Sequence, residues 1–282
     1  MTDPKPRRIR MSPGDAAVRA LCTGICLLFL LIFVLPVGYV LLASVHSRSG
    51  WSLEGYALLL RSPLVLSGLK NSLFLAGAGT AYSLCLEIPA AYVLSKKRYG
   101  WLTNVFFALG QFGAALLPLY LLLKRLGLLN SLWGLILPSG LSVCYTQLLR
   151  ARMLNLSAAL EDAAALDGCG PLRYLWQICL PLIGPTVGCL AFFHACGYWG
   201  NTLYARTFLT DESRFPLSLV LNAALIQNRA GDVLAQGGAA SAAAVQMAEF
   251  ALCVLSALPM IVLFLLLKRQ IRSLDLDSGL LP

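Results

Sequence analysis

Six apolar runs recur along the chain, at about residues 20–44, 71–95, 101–123, 131–149, 180–204 and 246–267. Each is close to the roughly 20 residues that carry a helix across about 30 Å of hydrocarbon. That repetition excludes most soluble architectures. In lipid every backbone polar group must be satisfied within the fold, which leaves helices or a closed barrel, and runs of this length are helical. Composition agrees: 58% of the 282 residues are hydrophobic and 12% charged, with a mean hydropathy of +0.74, against roughly 25% charged in a soluble domain. The expected class is an all-α integral membrane protein of six transmembrane helices.

The first run, 20–44, is longer than the 7–15 apolar residues of a signal-peptide core and lacks a cleavage site, so it reads as a retained helix. Residues 1–19, with Lys5, Arg7, Arg8, Arg10 and Arg19, form a basic tail, and 271–282 a second short tail. Between them, 20–270 is one transmembrane domain. Pro89, Gly110, Gly113, Pro118, Pro138 and Gly140 interrupt several runs; such breakers are tolerated where neighbouring groups re-satisfy the backbone. With six crossings, fourteen of the 22 Lys and Arg fall on the side of the termini and eight on the other. The positive-inside rule then places both termini in the cytoplasm, most firmly through the short loop "SKKRYG". The net charge of +9 lies at segment ends rather than along one stripe, which favours anionic headgroups over nucleic acid.

Nine cysteines form no C-x-x-C pair and lie mostly in apolar runs, where they read as small buried hydrophobes. Neither His46 nor His194 has an acid or cysteine at ligand spacing, so no metal is expected. The chain has no Gly-Lys dipeptide and hence no phosphate loop. The expectation is a non-enzymatic chain with no catalytic residue and no cofactor of its own. Glu87, Glu249 and His194 lie in or at the ends of spans, where polar groups are costly and default to functional candidates. Pairing across helices is the rival reading for each. "SRSGWSLEGYALLLRSPLVLSGLK" reads as a short interfacial helix and "GGAASAAAV" as helical.

The stretch "EDAAALDGCGPLRYLWQICLPLIGP", within a loop at 156–180 that leads into the fifth run, departs most from the apolar pattern. Ser157 can cap a helix of good helix formers, with Glu161 and Asp162 near its positive end. Gly168 ends it, and Pro171 starts a second helix. There Leu172, Leu175, Trp176 and Cys179 recur at i, i+3, i+4, i+7 as a bracing stripe. A compact two-helix unit on the cytoplasmic face follows.

This stretch resembles the cytoplasmic loop signature of binding-protein-dependent ABC importer permeases. "LEGYALLL", "NSLFLAGAGT", "IPAAYVLSKKRYG", "LLPLYLLLKRLGLLNSLWGLILP" and "RFPLSLVL" follow in the order of the sugar-type branch, most like permeases for oligosaccharides or plant-polysaccharide fragments. The resemblance implies a coupling helix between helices 4 and 5, in a multi-pass protein of the bacterial inner membrane. It implies a second homologous permease, two cytosolic ATPase subunits that hold ATP and Mg, and an external solute-binding protein. Position by position, the motif's Glu falls on Asp162, its alanines on Ala163 and Ala164, and its Asp and Gly on Asp167 and Gly168. Asp162 keeps the charge with a shorter reach, and Glu161 beside it could substitute. In "GYWGNTLY" Trp199 and Asn201 are separated by Gly200, where the family often has them adjacent.

Coupling is therefore expected at Glu161, Asp162, Ala163, Ala164, Asp167 and Gly168. The substrate path is expected at Glu87, Tyr120, Tyr145, His194, Trp199 and Asn201, whose rival role is packing. The function expected is a transmembrane subunit of an ATP-driven carbohydrate importer. Alternatives are an ABC permease for a polyamine or phosphorylated solute, a secondary transporter, or a membrane scaffold.

Overall fold

The computed structural model describes residues 13–47, 50–111, 115–225 and 242–277. The basic tail before Pro13, Arg48, Gly113, Arg229, most of "GGAASAAAV" and the last five residues lie outside them. Three described helices are long and apolar enough to cross a membrane. They are α1 (Pro13–Ala43), α3 (Pro63–Ser95) and α14 (Ala242–Asp277).

Residues 20–43 of the first run fall in α1, whose apolar window is wholly unburied by the protein. Its contact with the body includes Tyr39 edge-on to Phe250 at 5.8 Å. Such a surface is untenable in water and ordinary in lipid. A two-residue antiparallel ladder, β1 (His46–Ser47) with β2 (Gly50–Trp51), leads to α2 (Glu54–Arg61). α2 is no loose interfacial cover: Gly55 and Leu59 are buried. A Cβ on Gly55 would stand 2.9 Å from Ala248 N of α14, so only glycine permits this approach.

The second run starts earlier than its hydropathy predicts, because Pro63 occupies the first turn of α3, where its missing N–H costs nothing. α4 (Gly100–Gln111) and α5 (Leu116–Arg125) cover the third run. The fourth, 131–149, is not one helix. α6 (Trp133–Ile136) passes into a 3₁₀ turn, Leu137–Ser139, and α7 (Val143–Leu154) begins only after Gly140. The interruption falls at Gly140–Ser142, after the 3₁₀ turn that contains Pro138. The fifth is broken too: α9 (Pro171–Tyr174), a π-turn (Leu175–Cys179) and α10 (Leu180–Leu182) meet α11 (Gly184–Trp199) at 83°. α8 (Ala158–Leu166) precedes them; α12 (Thr202–Phe208) and α13 (Leu217–Leu225) follow.

Three apolar clusters hold these pieces. At one end Ile88, Leu149, Ala164, Leu175 and Leu190 pack together. Leu59, Val65, Trp199, Val220 and Leu252 form the second cluster, and Leu75, Leu123, Ile136, Phe208 and Leu219 the third. Polar pins close the end opposite α8. Asn71 Nδ2 donates to the Ser213 and Phe215 carbonyls at 2.9 and 3.1 Å, and Ser72 Oγ accepts from Leu217 N at 2.7 Å. All nine cysteines are free. Cys179 is buried as expected for a small hydrophobe, but Cys22, Cys26, Cys85 and Cys144 are exposed.

Candidate functional site

α8 lies at the end where Ile88, Leu149, Ala164, Leu175 and Leu190 pack together. Ser157 occupies the N-cap position, yet its side chain makes no capping bond. The helix ends in a Schellman turn: Cys169 N donates to Ala164 O at 2.9 Å and Gly168 N to Ala165 O at 3.0 Å, with Gly168 at φ +74°. Asp162, Ala163, Leu166, Asp167 and Gly168 are exposed, Leu166 at 90%. Ala164 is buried in the cluster beneath. Glu161 turns back to form an ion pair with Lys96 at the end of α3. Of the six expected coupling residues, four therefore face outward, one packs and one is bound internally.

Lys96 sits over the Tyr92 ring, 4.3 Å from its centroid, with Tyr174 at 5.8 Å. Burial pulls its pKa down, but the hydrogen bonds to Glu161 and Tyr92 outweigh that, and the net direction is up. Burial pushes the Tyr174 phenol and the Cys179 thiol up, which keeps the thiol protonated and unreactive. The expected bracing stripe is corrected. Leu175 and Cys179 are buried, but Leu172 and Trp176 are 72% and 53% exposed. Tyr174 takes the inward place instead, because its ring packs against Tyr92 at 6.2 Å and moves the buried face round by one column.

Farther along the molecule, Glu87 of α3 is fully buried. Its Oε1 accepts from Ser142 N at 2.8 Å, at the start of α7, and its Oε2 lies 2.9 Å from His194 Nε2 of α11. A carboxylate beside a helix N-terminus meets both free N–H groups and the positive end of the dipole. Tyr145 stands edge-on to His194 with centroids 4.8 Å apart. Tyr198 OH lies 2.9 Å from Ser83 Oγ and donates to Ile136 O at 3.3 Å. Beside this network opens a cleft of about 200 Å³ lined by Ser139, Ser142, Tyr145, Phe193, His194, Gly197, Tyr198 and Asn201.

Four expected path residues thus meet: Tyr145, His194 and Asn201 on the cleft and Glu87 behind it. Asn201 also caps α12, its Oδ1 accepting from Tyr204 N at 3.3 Å. Trp199 faces away, buried, with Nε1 donating to Ser256 O of α14 at 3.0 Å. Tyr120 lies in the third cluster beside Phe208 at 6.4 Å. Sequence reasoning missed Ser139, Ser142 and Tyr198; for Ser142 the signal was a Ser just past the Pro138–Gly140 break, in N-cap position. A larger groove, about 590 Å³ between α3, α11 and α14, is almost wholly apolar. Its polar atom, Thr80 Oγ1, has no hydrogen-bond partner. Size alone would favour that groove, but it offers a hydrophilic solute nothing, so the smaller cleft is the candidate site. Among the described residues no group of three or more His, Cys, Asp or Glu could hold a metal.

No protein-family model matches the chain. Known proteins do. The chain is 29% identical over 265 residues to the polygalacturonan/rhamnogalacturonan transport system permease protein YtcP of Bacillus subtilis, covering 88% of this chain and 92% of that one. It is 33% identical over 160 residues to ORF1 of Streptomyces antibioticus, a protein assigned as an ABC transporter permease, covering 54% of this chain and 69% of that one. Its fold matches a chain in the crystal structure of a bacterial ABC transporter involved in the import of the acidic polysaccharide alginate, with a TM-score of 0.82 at 22% identity, over 93% of this chain and 99% of that one. A helical membrane layer, a turn-bounded surface helix at one end and these likenesses lead to one assignment: the chain belongs to the ABC transporter permease family.

Proposed function

We propose that this permease is the membrane subunit of an ATP-driven, binding-protein-dependent importer of a carbohydrate, of the oligosaccharide or polysaccharide-fragment class. The observation that carries the reading is the likeness to YtcP along nearly the whole of both chains. The cleft supports it from chemistry. Hydroxyls of Ser139, Ser142, Tyr145 and Tyr198, the Asn201 amide and the His194 ring stand beside aromatic faces, a lining suited to a hydroxyl-rich ligand. Tyr145, His194 and Asn201 are assigned to the substrate path with Glu87 behind them. Tyr120 and Trp199 are assigned to packing.

Six crossings are assigned to α1, α3, the α4/α5 pair, the α6–α7 segment, α11 with α12, and α14, in the bacterial inner membrane with both termini cytoplasmic. α8 is then the coupling helix. Asp162, Ala163, Asp167 and Gly168 meet a cytosolic ATPase, and Leu166 adds an apolar contact. The partners are a second permease, two ATPase subunits holding ATP and Mg, and an external binding protein. This chain supplies no cofactor. ATP closes the ATPase pair, α8 moves with it, and the paired permeases turn the cleft outward to receive solute.

The test is reconstitution of the purified complex in vesicles with ATP enclosed beside the ATPases and the binding protein outside. ATP-dependent uptake of labelled oligogalacturonides or neutral oligosaccharides is expected. Uptake that persists without ATP, or uptake restricted to polyamines or phosphorylated solutes, would refute the proposal.

A further inference from the structure

α8 is attached to the body in two ways. Leu160 and Ala164 pack on the cluster beneath. Among the described residues, the one side-chain hydrogen bond leaving α8 is that between Glu161 and Lys96, 65 positions apart in sequence. Lys96 directly follows α3 and is held over Tyr92 of α3 and near Tyr174 of α9. The two side chains are 28% and 45% exposed. A pair this exposed adds little to stability. It does fix where α8 sits relative to α3.

Between Lys96 and the cleft, two separate polar contacts tie α3 to α7. Arg150 Nε of α7 donates to Leu94 O at 2.9 Å. Nearer the cleft, Ser142 N at the head of α7 donates to Glu87 Oε1 at 2.8 Å. These bonds join α3 and α7 at two levels, roughly 10–12 Å apart along each helix at 1.5 Å per residue. Pro89 lies between the levels and removes one rung of the α3 ladder. The second helix, clamped on either side of that weak point, keeps the two parts of α3 from swinging separately. Glu87 then meets His194, and Ser142 and His194 both line the cleft.

We propose that the Lys96–Glu161 strap transmits displacement of α8 to the cleft, with the clamped α3–α7 pair as the lever and Lys96 and Glu161 as positioning residues. The inference rests on the reading of α8 as the helix that docks on an ATPase. It assigns Glu161 to this chain's own interior and leaves Asp162 as the outward acid of the pair.

The experiment uses the assembled transporter in vesicles, with Lys96→Met, Lys96→Arg, Glu161→Gln and the exchanged pair Lys96→Glu with Glu161→Lys. ATPase subunits bound per permease, ATP hydrolysis and solute taken up per ATP are read separately. Lys96→Met and Glu161→Gln should keep the ATPase bound and hydrolysing while uptake per ATP falls about fivefold, the factor for roughly one kcal/mol. Lys96→Arg should hold the normal ratio, and the exchanged pair should recover at least part of it. A normal ratio in both Lys96→Met and Glu161→Gln overturns the proposal, as does loss of the bound ATPase, which would make the pair an assembly contact. If the unaltered complex binds no ATPase or takes up nothing with ATP, the reading of α8 fails instead.

Discussion

Replacing Glu87 by Ala removes the acceptor for two buried nitrogens, Ser142 N at 2.8 Å and His194 Nε2 at 2.9 Å. An orphaned buried donor costs about 1–3 kcal/mol, so two orphaned at once span about 2–6 kcal/mol. The cleft of about 200 Å³ adjoins both Ser142 and His194 and has room for water beside them. The lower end, about 2–3 kcal/mol, is therefore expected. At about 2–4 °C per kcal/mol for a chain of a few hundred residues, the unfolding midpoint should fall by about 4–12 °C. Membrane proteins often unfold irreversibly, so variants are compared in one detergent at one scan rate.

Glu87→Gln separates shape from charge. Its amide oxygen can still receive Ser142 N–H, while the amide nitrogen meets the ring only if Nε2 changes from donor to acceptor, so a loss of about 1 kcal/mol is expected. His194→Ala removes the same contact from the other side. The double variant should then cost less than the two singles together by about 1 kcal/mol or more, because the residues share one bond. Melting of Glu87→Ala within about 1 °C of the unaltered protein, with additive single and double effects, would refute the assignment of this pair as the tie between α3, α7 and α11.

Three shorter predictions follow from other contacts. Gly168→Ala should destabilise the α8 turn by about 1 kcal/mol, since φ +74° is strained for any residue with a Cβ although nothing lies within 4 Å; Gly168→Asn should cost less, and thermal shift ranks the two. Gly55→Ala brings a methyl to 2.9 Å from Ala248 N, so α2 must lift from α14 at a cost of about 1–3 kcal/mol, visible as faster proteolysis within α2. The Asp211 carboxyl is held below its ordinary range, first by Ser213 Oγ at 2.7 Å, then by Ser213 N at 3.0 Å, with Arg214 alongside. A depressed folded pKa means these bonds are intact at neutral pH and lost as pH falls through that lowered value. The Ser213 amide should therefore lose its exchange protection in acid, and Asp211→Asn should remove that pH dependence.

The membrane class was legible because the bilayer imposes a one-dimensional demand, the length of an apolar run, that needs no knowledge of neighbours. The end of α8 was legible for a similar reason. A left-handed Gly168 followed by Gly170 and Pro171 is local chemistry, and the chain turns there. Local reading failed where tertiary packing chose between faces. Leu172 and Trp176 fit an amphipathic stripe, but Tyr174 is the ring that finds Tyr92, and the stripe follows it. The run 131–149 reads as one span by hydropathy and is interrupted at Gly140–Ser142, between a 3₁₀ turn and α7.

That split connects the apolar pattern to the site. An uninterrupted helix would bond Ser142 N to a carbonyl four residues earlier and leave Glu87 without its first donor. The break frees that N–H inside the protein, where an unpaired donor is costly, and the carboxylate 55 residues away takes it. Glu87 and Glu249 look alike in sequence, each an acid in an apolar run. In the structure Glu249 is half-buried, while Glu87 is fully enclosed between a helix start and a histidine. The deviation from ideal helix at 137–142 is thus what allows an acid to be buried at mid-chain and puts Ser142 and His194 on the same cleft.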